Sequence, residues 1–175
     1  MVSWWQSIPI LSRREVGAGA VAAVGALVAS LIPLPILEII PLGLSSDAQY
    51  WFGDAPEFAP LAGLVLGTGV WRRGTSQASP PEWGALAGIV TAIGTVVFVP
   101  ILAGLYVMLF PVLLGLVTGE EWSYVLRVVP VHVRSSFRVA RTITLSWSPL
   151  VGVVLVPLDG LLGWVYQRGS RPRGR

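Results

Sequence analysis

The sequence predicts an all-α membrane protein: a polytopic helical bundle of four or five hydrophobic segments with small-residue packing and one basic amphipathic helix. Of its 175 residues, 54% are hydrophobic and only 12% are charged, which is about half the charged fraction of an ordinary soluble domain. The mean hydropathy is +0.72. A soluble chain of this length cannot bury so much apolar surface, so we expect the lipid bilayer to surround much of it.

Small residues recur at every fourth position in three successive apolar runs. On a helix this spacing makes a smooth face along which two backbones can approach closely. We expect these small-residue ladders to pack the three helices into one unit. The alternative is that Gly and Ala are simply frequent in membrane helices. The ladders consist of Ala18, Ala22, Ala26 and Ser30, of Ala59, Gly63 and Gly67, and of Gly84, Gly88 and Ala92.

An N-terminal membrane bundle is predicted over residues 1–118. Its first span is expected at about 16–36 and its second at about 56–71. The polar, acidic stretch 43–57 between them is predicted to be an external loop. This stretch ends in Asp-Ala-Pro-Glu at 54–57, a sequence typical of a helix start because the carboxylate caps free N–H groups and proline suits the first turn.

The third and fourth spans are predicted at about 83–99 and 102–118. The chain carries no charge over the 36 residues from Trp83 to Thr118. One helix of that length would be about 54 Å long, against a hydrocarbon core of about 30 Å. Pro100 interrupts the run, so we expect a tight turn there. The alternative is a single tilted, kinked span followed by a re-entrant piece.

Residues 119–147 carry charged side chains, unlike the apolar run before them. They are predicted to form a basic amphipathic helix in the plane of the membrane. Residues 148–167 either cross as a fifth span or form a re-entrant hairpin. Residues 168–175 are predicted to be a disordered basic tail. The expected headgroup-binding face carries Arg127, Arg134, Arg138 and Arg141, and a separate apolar face carries Val133, Phe137, Ala140 and Thr144.

The arginine distribution also predicts an orientation. Pairs of arginines lie at 13–14 and 72–73, whereas the proposed external loop 43–57 has none. Since positive residues favour the cytoplasmic side, we expect the N-terminus to be cytoplasmic, or interior in a viral membrane. If 148–167 is re-entrant, all twelve arginines lie on that side; if it crosses, the four arginines of the tail lie outside, against this tendency.

Two carboxylates interrupt apolar runs and are the candidate ion or proton sites. Asp159 is the sharper candidate, because an acid inside a membrane segment is costly. Its structural alternatives are a cap for the helix after Pro157 or an ion pair with an arginine. The second candidate is Glu38, near the outer end of the first span. His132 is interpreted as an incidental interfacial residue.

Several classes of site are excluded or not expected. The chain has no Cys and one His, so disulfides and Cys-based or His-rich metal sites are excluded. The nucleotide, protease and hydrolase motifs are absent from the sequence. We therefore expect no enzyme activity, cofactor, metal or nucleic-acid partner.

The stretch from about 18 to 108 resembles a group of small, uncharacterised haloarchaeal membrane proteins that are glycine-rich and span the membrane several times. The motifs that carry the resemblance are S-x-I-P at 30–33, P-L-x-G-x-x-x-G at 60–67, and a G-A-x-x-G run at 84–94. Residues 119–175 depart from the pattern. The group has no established activity, so the resemblance implies an architecture and no mechanism.

The expected function is that of a structural or accessory membrane protein. It would assemble through its glycine faces with a second copy or a membrane-protein partner, and it would bind anionic lipid headgroups. A viral membrane protein and a subunit of a cellular membrane complex are two versions of this hypothesis. The alternative is a small channel or transporter that uses Asp159.

Overall fold

The computed structural model describes residues 13–35, 43–76 and 78–170, which form four helices and, within those ranges, no strand. The all-α prediction is confirmed. The helices are α1 (Arg13–Leu31), α2 (Ser46–Gly74), α3 (Pro81–Val117) and α4 (Trp122–Gly169).

Three apolar helices indicate that the protein is embedded in a membrane. The stretches Arg14–Pro35, Pro81–Val117 and Trp122–Gly169 are long and apolar enough to cross it. They belong to α1, α3 and α4, so the four or five spans expected from the sequence reduce to three that meet this criterion among the described residues.

The four helices alternate in direction. The start of α1 and the end of α4 meet the turn between α2 and α3, where Arg14 and Gln167 both contact the backbone of Ser76. We call this the Arg14 end of the bundle. Arg72, Arg73 and Arg168 lie at the same end, because they occupy the last turns of α2 and α4.

The second helix begins ten residues earlier than predicted, at Ser46 rather than at residue 56. Ser45 is its N-cap, and the Ser45 hydroxyl accepts a hydrogen bond of 3.2 Å from the Ala48 N–H. This cap satisfies an N–H that the first turn of the helix leaves free. Because the helix begins at Ser46, most of the predicted loop 43–57 is helical. Pro56 and Pro60 lie inside the helix.

The predicted turn at Pro100 is wrong, because α3 is one helix of 37 residues. Proline has no N–H with which to bond the carbonyl four residues earlier, here that of Val96. The Ser148 hydroxyl of α4 donates a hydrogen bond of 3.1 Å to that carbonyl. A neighbouring helix thus satisfies the group that proline leaves free, as happens in membrane bundles.

The amphipathic segment and the last apolar run form a single helix, α4, of 48 residues. It lies antiparallel to α3, since Gly104 contacts Ser136 while Gly84 contacts Gly163. Residues 119–147 are therefore not a separate in-plane helix, and 148–167 is not a re-entrant hairpin. The predicted tail at 168–175 is also wrong in part, because α4 continues to Gly169; residues 171–175 lie outside the described residues.

The ladders pair differently from the expected three-helix unit. Gly63 and Gly67 of α2 lie against α1, where a Cβ on Gly63 would come within 2.8 Å of the Ala22 carbonyl oxygen. Gly84 and Gly88 of α3 instead lie against α4. Two glycine contacts result, one between α1 and α2, which we call the first seam, and one between α3 and α4, the second seam.

All ten ladder residues are buried, although they face different partners. Around them, the apolar core is closed by larger side chains from α2 and α4. Phe52, Ile143, Trp147 and Leu155 are each exposed by 1% or less. Small residues thus bring the backbones together, and a few large side chains fill the remaining space.

Candidate functional site

Among the described residues, Asp159 is the buried carboxylic acid, with 2% of its surface exposed. Two glycines leave the space that it occupies. A Cβ on Gly25 of α1 would overlap the Asp159 Oδ1 atom, and a Cβ on Gly88 of α3 would overlap the Asp159 carbonyl oxygen. The carboxyl therefore lies against α1 at Gly25, and the backbone of Asp159 lies against α3 at Gly88, so both neighbours lack a side chain where Asp159 packs.

Neither carboxyl oxygen of Asp159 has a hydrogen-bond partner among the described residues. The predicted helix cap at Asp159 is wrong, because α4 is continuous through this position. The helix therefore leaves no free backbone N–H from which the side chain could accept a hydrogen bond. The predicted ion pair is absent from the described part of the chain as well. An unpaired buried carboxylate costs several kcal/mol or more, so this is the group in the described bundle that most needs a chemical explanation.

A small cavity lies beside the Asp159 side chain. Its free space is about 10 Å³, which is enough for about one water molecule. All four helices contribute to its wall, in which the residues with polar side-chain atoms, besides Asp159, are Trp71, Thr91 and Tyr166. The lining residues are Ala18, Val21, Ala22, Trp71, Gly88, Thr91, Asp159, Leu162, Gly163 and Tyr166.

A polar cluster closes the Arg14 end of the bundle, and we call it the Arg14 clasp. The Arg14 guanidinium donates hydrogen bonds to the carbonyls of Thr75 (3.3 Å) and Ser76 (3.1 Å) and to the Gln167 side chain. Gln167, which is fully buried, in turn donates to the carbonyls of Ser76 (2.9 Å) and Ser79 (2.8 Å). The clasp ties both ends of the chain's helical region to the α2–α3 turn.

Two aromatic residues belong to both the clasp and the cavity wall. The Arg14 guanidinium lies 5.3 Å from the centre of the Trp71 ring, in a cation–π arrangement. The Trp71 and Tyr166 rings are 5.2 Å apart and perpendicular. The Tyr166 hydroxyl donates a hydrogen bond of 2.9 Å to the Arg14 carbonyl. These two rings therefore separate the Asp159 cavity from the polar end of the bundle.

Three predicted arginines line a second site, which we call the arginine groove. Arg134, Arg138 and Arg141 face an open groove of about 580 Å³, together with the start of α2 at Ser45. The fourth predicted residue, Arg127, is absent from the groove and donates to the Ser123 carbonyl at 3.2 Å.

The apolar face predicted for this segment is only partly protected. Phe137 lines the arginine groove and is 73% exposed. Thr144 is exposed as well, whereas Val133 and Ala140 are half-buried. The reason is that the protected face of this part of α4 is set by α3, which contacts Ser136 and Ala140 through Gly104.

The remaining predicted residues give no further site. Glu38 lies outside the described residues. His132 and Glu120 line one groove of about 270 Å³ near the α3–α4 turn. In the part of the chain that the structure describes, no three His, Asp or Glu side chains are grouped so that they could hold a metal ion.

Gly25, Tyr166 and Gln167 are the site residues that sequence reasoning missed. Gly25 lies outside the four-residue ladder of its own helix, and Gln167 directly precedes the basic tail. Tyr166 and Gln167 adjoin the last apolar run, so the available signal was a pair of hydrogen-bonding side chains at a span end. That signal does not identify their partners, which lie about 90 and 150 positions away in the chain.

Comparison of the chain with protein-family models, with curated proteins and with solved structures found no match of any of these three kinds.

Proposed function

We propose that this protein is a structural or accessory integral membrane protein that binds anionic lipid headgroups through the arginine groove. The observation that carries the proposal is the position of the groove along α4. Arg141 precedes Arg168 by 27 positions, which is about 40 Å of helix at 1.5 Å per residue. A bilayer with both headgroup regions is about 40–45 Å thick. The arginine groove and the Arg14 end therefore fit the two opposite interfaces.

The chemistry of the groove suits a phosphate-bearing headgroup. A guanidinium can hold two phosphate oxygens at once, and the groove presents three exposed guanidinium groups. The start of α2, whose first turn also carries Asp47, adds the positive end of a helix dipole. Since α4 has no acidic residue before Asp159, its own sequence does not neutralise these charges.

This placement changes the expected orientation. The arginines of the groove lie along α4 on the far side of the apolar core from the Arg14 end, so the chain's arginines do not all share one side. We propose that α2 is a fourth crossing and that the Arg14 end faces the cytoplasm, or the interior in a viral membrane. In the sequence, eight of the twelve arginines lie at 13–14, 72–73 and 168–175 and four lie at 127–141, and this excess supports the proposal through the positive-inside tendency.

Lipid binding tests the proposal directly. Purified protein in detergent is titrated with phosphatidylglycerol and, separately, with phosphatidylcholine, and bound lipids are counted by native mass spectrometry. We expect a preference for phosphatidylglycerol that weakens by about 1 kcal/mol for each arginine removed in Arg134→Gln, Arg138→Gln and Arg141→Gln. Arg127→Gln is the matched control and should retain the preference. Equal binding by wild type and the triple variant would contradict the proposal.

We propose no assembly with a second copy or a partner through the ladder glycines, because these residues already pack inside the chain. Each ladder glycine contacts a helix of its own chain, and a Cβ at any of them would lie 2.9 Å or closer to an atom of that helix. The proposal is therefore confined to the lipid surface, for a cellular or a viral membrane protein alike.

A second candidate function, a small channel or transporter that uses Asp159, is favoured by the unpartnered carboxyl. The cavity of about 10 Å³ beside it has room for about one water molecule, so the transported species that we propose is a proton or a water molecule. Proton flux into liposomes, followed with a pH-sensitive dye, tests this candidate. It requires flux in wild type that Asp159→Asn abolishes without changing the amount of folded protein, and an equal leak in both would end it.

A further inference from the structure

The Asp159 carboxyl has no part in headgroup binding, because it lies far from the arginine groove. Along α4 it is 18 positions from Arg141 and 8 positions from Gln167, or about 27 Å and about 12 Å of helix. It is thus much closer to the Arg14 clasp than to the opposite interface. Its position and its lack of partners need a separate account.

We propose that Asp159 is an intramembrane proton-binding site that exchanges protons with the solution at the Arg14 end of the bundle. The site consists of the carboxyl, the adjoining cavity, and the Trp71 and Tyr166 rings that separate the cavity from the clasp. The proposal does not rest on headgroup binding, and it holds whether or not the protein transports protons across the membrane.

Among the described residues, none that lines the cavity beside Asp159 carries a positive charge. From the four helices, the groups that share its cavity are alanines, glycines, aliphatic side chains, one indole, one threonine hydroxyl and one phenol. The phenol, Tyr166, is the one titratable neighbour, and its hydroxyl donates to the Arg14 carbonyl. The Arg14 guanidinium lies on the other face of this layer and donates to Thr75, Ser76 and Gln167.

A proton fits this site better than a metal cation does. Hard metal cations take about six or more oxygen ligands. Besides Asp159, the side-chain oxygens of the cavity wall are the hydroxyls of Thr91 and Tyr166, and Thr91 donates to the Ala87 carbonyl at 2.8 Å. A proton needs a single carboxyl oxygen, and the carboxylic acid that results is neutral, which removes the cost of a buried charge.

The cavity provides one relay position for the proposed path. It has room for about one water molecule, and Asp159, Trp71 and Tyr166 all line it. For proton transfer, the Trp71–Tyr166 layer opens so that water at the clasp contacts the cavity water. A hydronium ion on the clasp side then transfers a proton to the cavity water, and that water transfers a proton to Asp159. Each step breaks one O–H bond and forms another, and the reverse steps return the proton to the same side. Tyr166 is a positioning residue. Its hydroxyl donates a hydrogen bond to the Arg14 carbonyl, and its ring limits access to the water.

Side-specific chemical labelling tests the proposal. Hydrophobic carbodiimides react with protonated carboxyl groups in membranes, so dicyclohexylcarbodiimide reports protonated Asp159. The protein is reconstituted into vesicles whose internal and external pH are set independently. Ala78→Cys, in the exposed α2–α3 turn of a chain without cysteine, lets an impermeant biotin maleimide select the molecules whose Arg14 end faces outward.

In the selected molecules, we expect modification at Asp159 that falls at least severalfold as the external pH is raised and is unaffected by the internal pH. Asp159→Asn should fold normally and lose the adduct. Glu82→Gln, which removes an exposed acid at the same end of the bundle, should keep it. Modification that follows the internal pH would overturn the proposed side of access.

Infrared difference spectroscopy provides a readout that does not depend on access of the reagent. The carbonyl band of a protonated carboxyl should be present in wild type and absent from Asp159→Asn. If wild type lacks this band, the proton site is wrong, whatever the lipid-binding and flux experiments show. If the band is present but no adduct forms at any pH, the access path from the Arg14 end is wrong.

Discussion

The two seams use the same packing device for different results. In the first seam, Gly63 and Gly67 of α2 meet the backbone of α1 around Ala22. In the second, Gly84 and Gly88 of α3 meet the backbone of α4 around Gly163. Both seams need glycine, because a Cβ on any of these four glycines would lie 2.9 Å or closer to an atom of the opposite helix. The second seam also holds a carboxyl and the clasp glutamine.

The difference teaches that glycine has two uses in this bundle. Gly63 lets two backbones approach each other, which is a packing role. Gly25 leaves room for the side chain of Asp159, which is a role in building a site. The first seam holds α1 and α2 together. The second seam holds α3 and α4 together and also positions the Asp159 carboxyl, the candidate reactive group.

The largest effect is expected from Gly88→Ala, which tests whether the second seam depends on backbone contact. The new methyl group would overlap the Asp159 carbonyl oxygen, and neither backbone can yield unless α3 and α4 separate. We expect a loss of about 3 kcal/mol or more in the free energy of unfolding, measured by SDS titration of the protein in mixed micelles.

Gly152→Ala is the matched control in the same seam. Its methyl group would lie 3.7 Å from a Val96 methyl carbon, which is ordinary van der Waals contact. Since alanine favours a helix by about 1 kcal/mol over glycine, this variant should be as stable as wild type or slightly more so. Equal losses in the two variants would show that the second seam is not held by close backbone contact.

The fold could be predicted from the sequence where a local pattern determines it. The apolar runs indicate membrane helices, and the four-residue spacing finds residues that are buried on α1, α2 and α3. The pairing of the ladders could not be predicted, because a smooth face fits any other smooth face. Gly163 belongs to α4, a helix without such a ladder, and yet it is the residue that Gly84 contacts.

Local rules failed at helix boundaries for a tertiary reason. Pro100 predicts a break, but Ser148 on another helix satisfies the carbonyl that the proline leaves free.

Asp159 was found because an acid in an apolar run is conspicuous in any sequence. Its neighbours Gly25 and Tyr166 were not, because their roles exist only once α1 and α4 lie side by side.

A smaller effect is expected from Gly63→Ala, which tests the first seam. Its methyl group would lie 2.8 Å from the Ala22 carbonyl oxygen and 3.1 Å from the Ala23 Cα, so α1 must shift by a few tenths of an ångström. We expect a loss of about 1–3 kcal/mol in the free energy of unfolding, less than for Gly88→Ala. Gly69→Ala, in the same helix with no atom within 4 Å, is the control, and a loss as large there would remove the argument for the first seam.

The smallest effect is expected from Ser148→Ala, which removes a polar contact of the second seam. The Val96 carbonyl then loses its partner from α4, and Pro100 has no N–H to replace it. A loss of about 1 kcal/mol is expected in the same SDS titration. Ser146→Ala should cost less, because the Ser146 hydroxyl bonds to Thr142 within its own helix.

The explanation for Ser148 can be separated from a general effect of removing a hydroxyl by repeating the substitution in a Pro100→Ala background. There the restored N–H of residue 100 can bond the Val96 carbonyl within α3, so the loss caused by Ser148→Ala should shrink towards zero. If the loss is the same in both backgrounds, Ser148 does not compensate for the proline. The continuity of α3 through Pro100 would then have to come from apolar packing in the second seam alone.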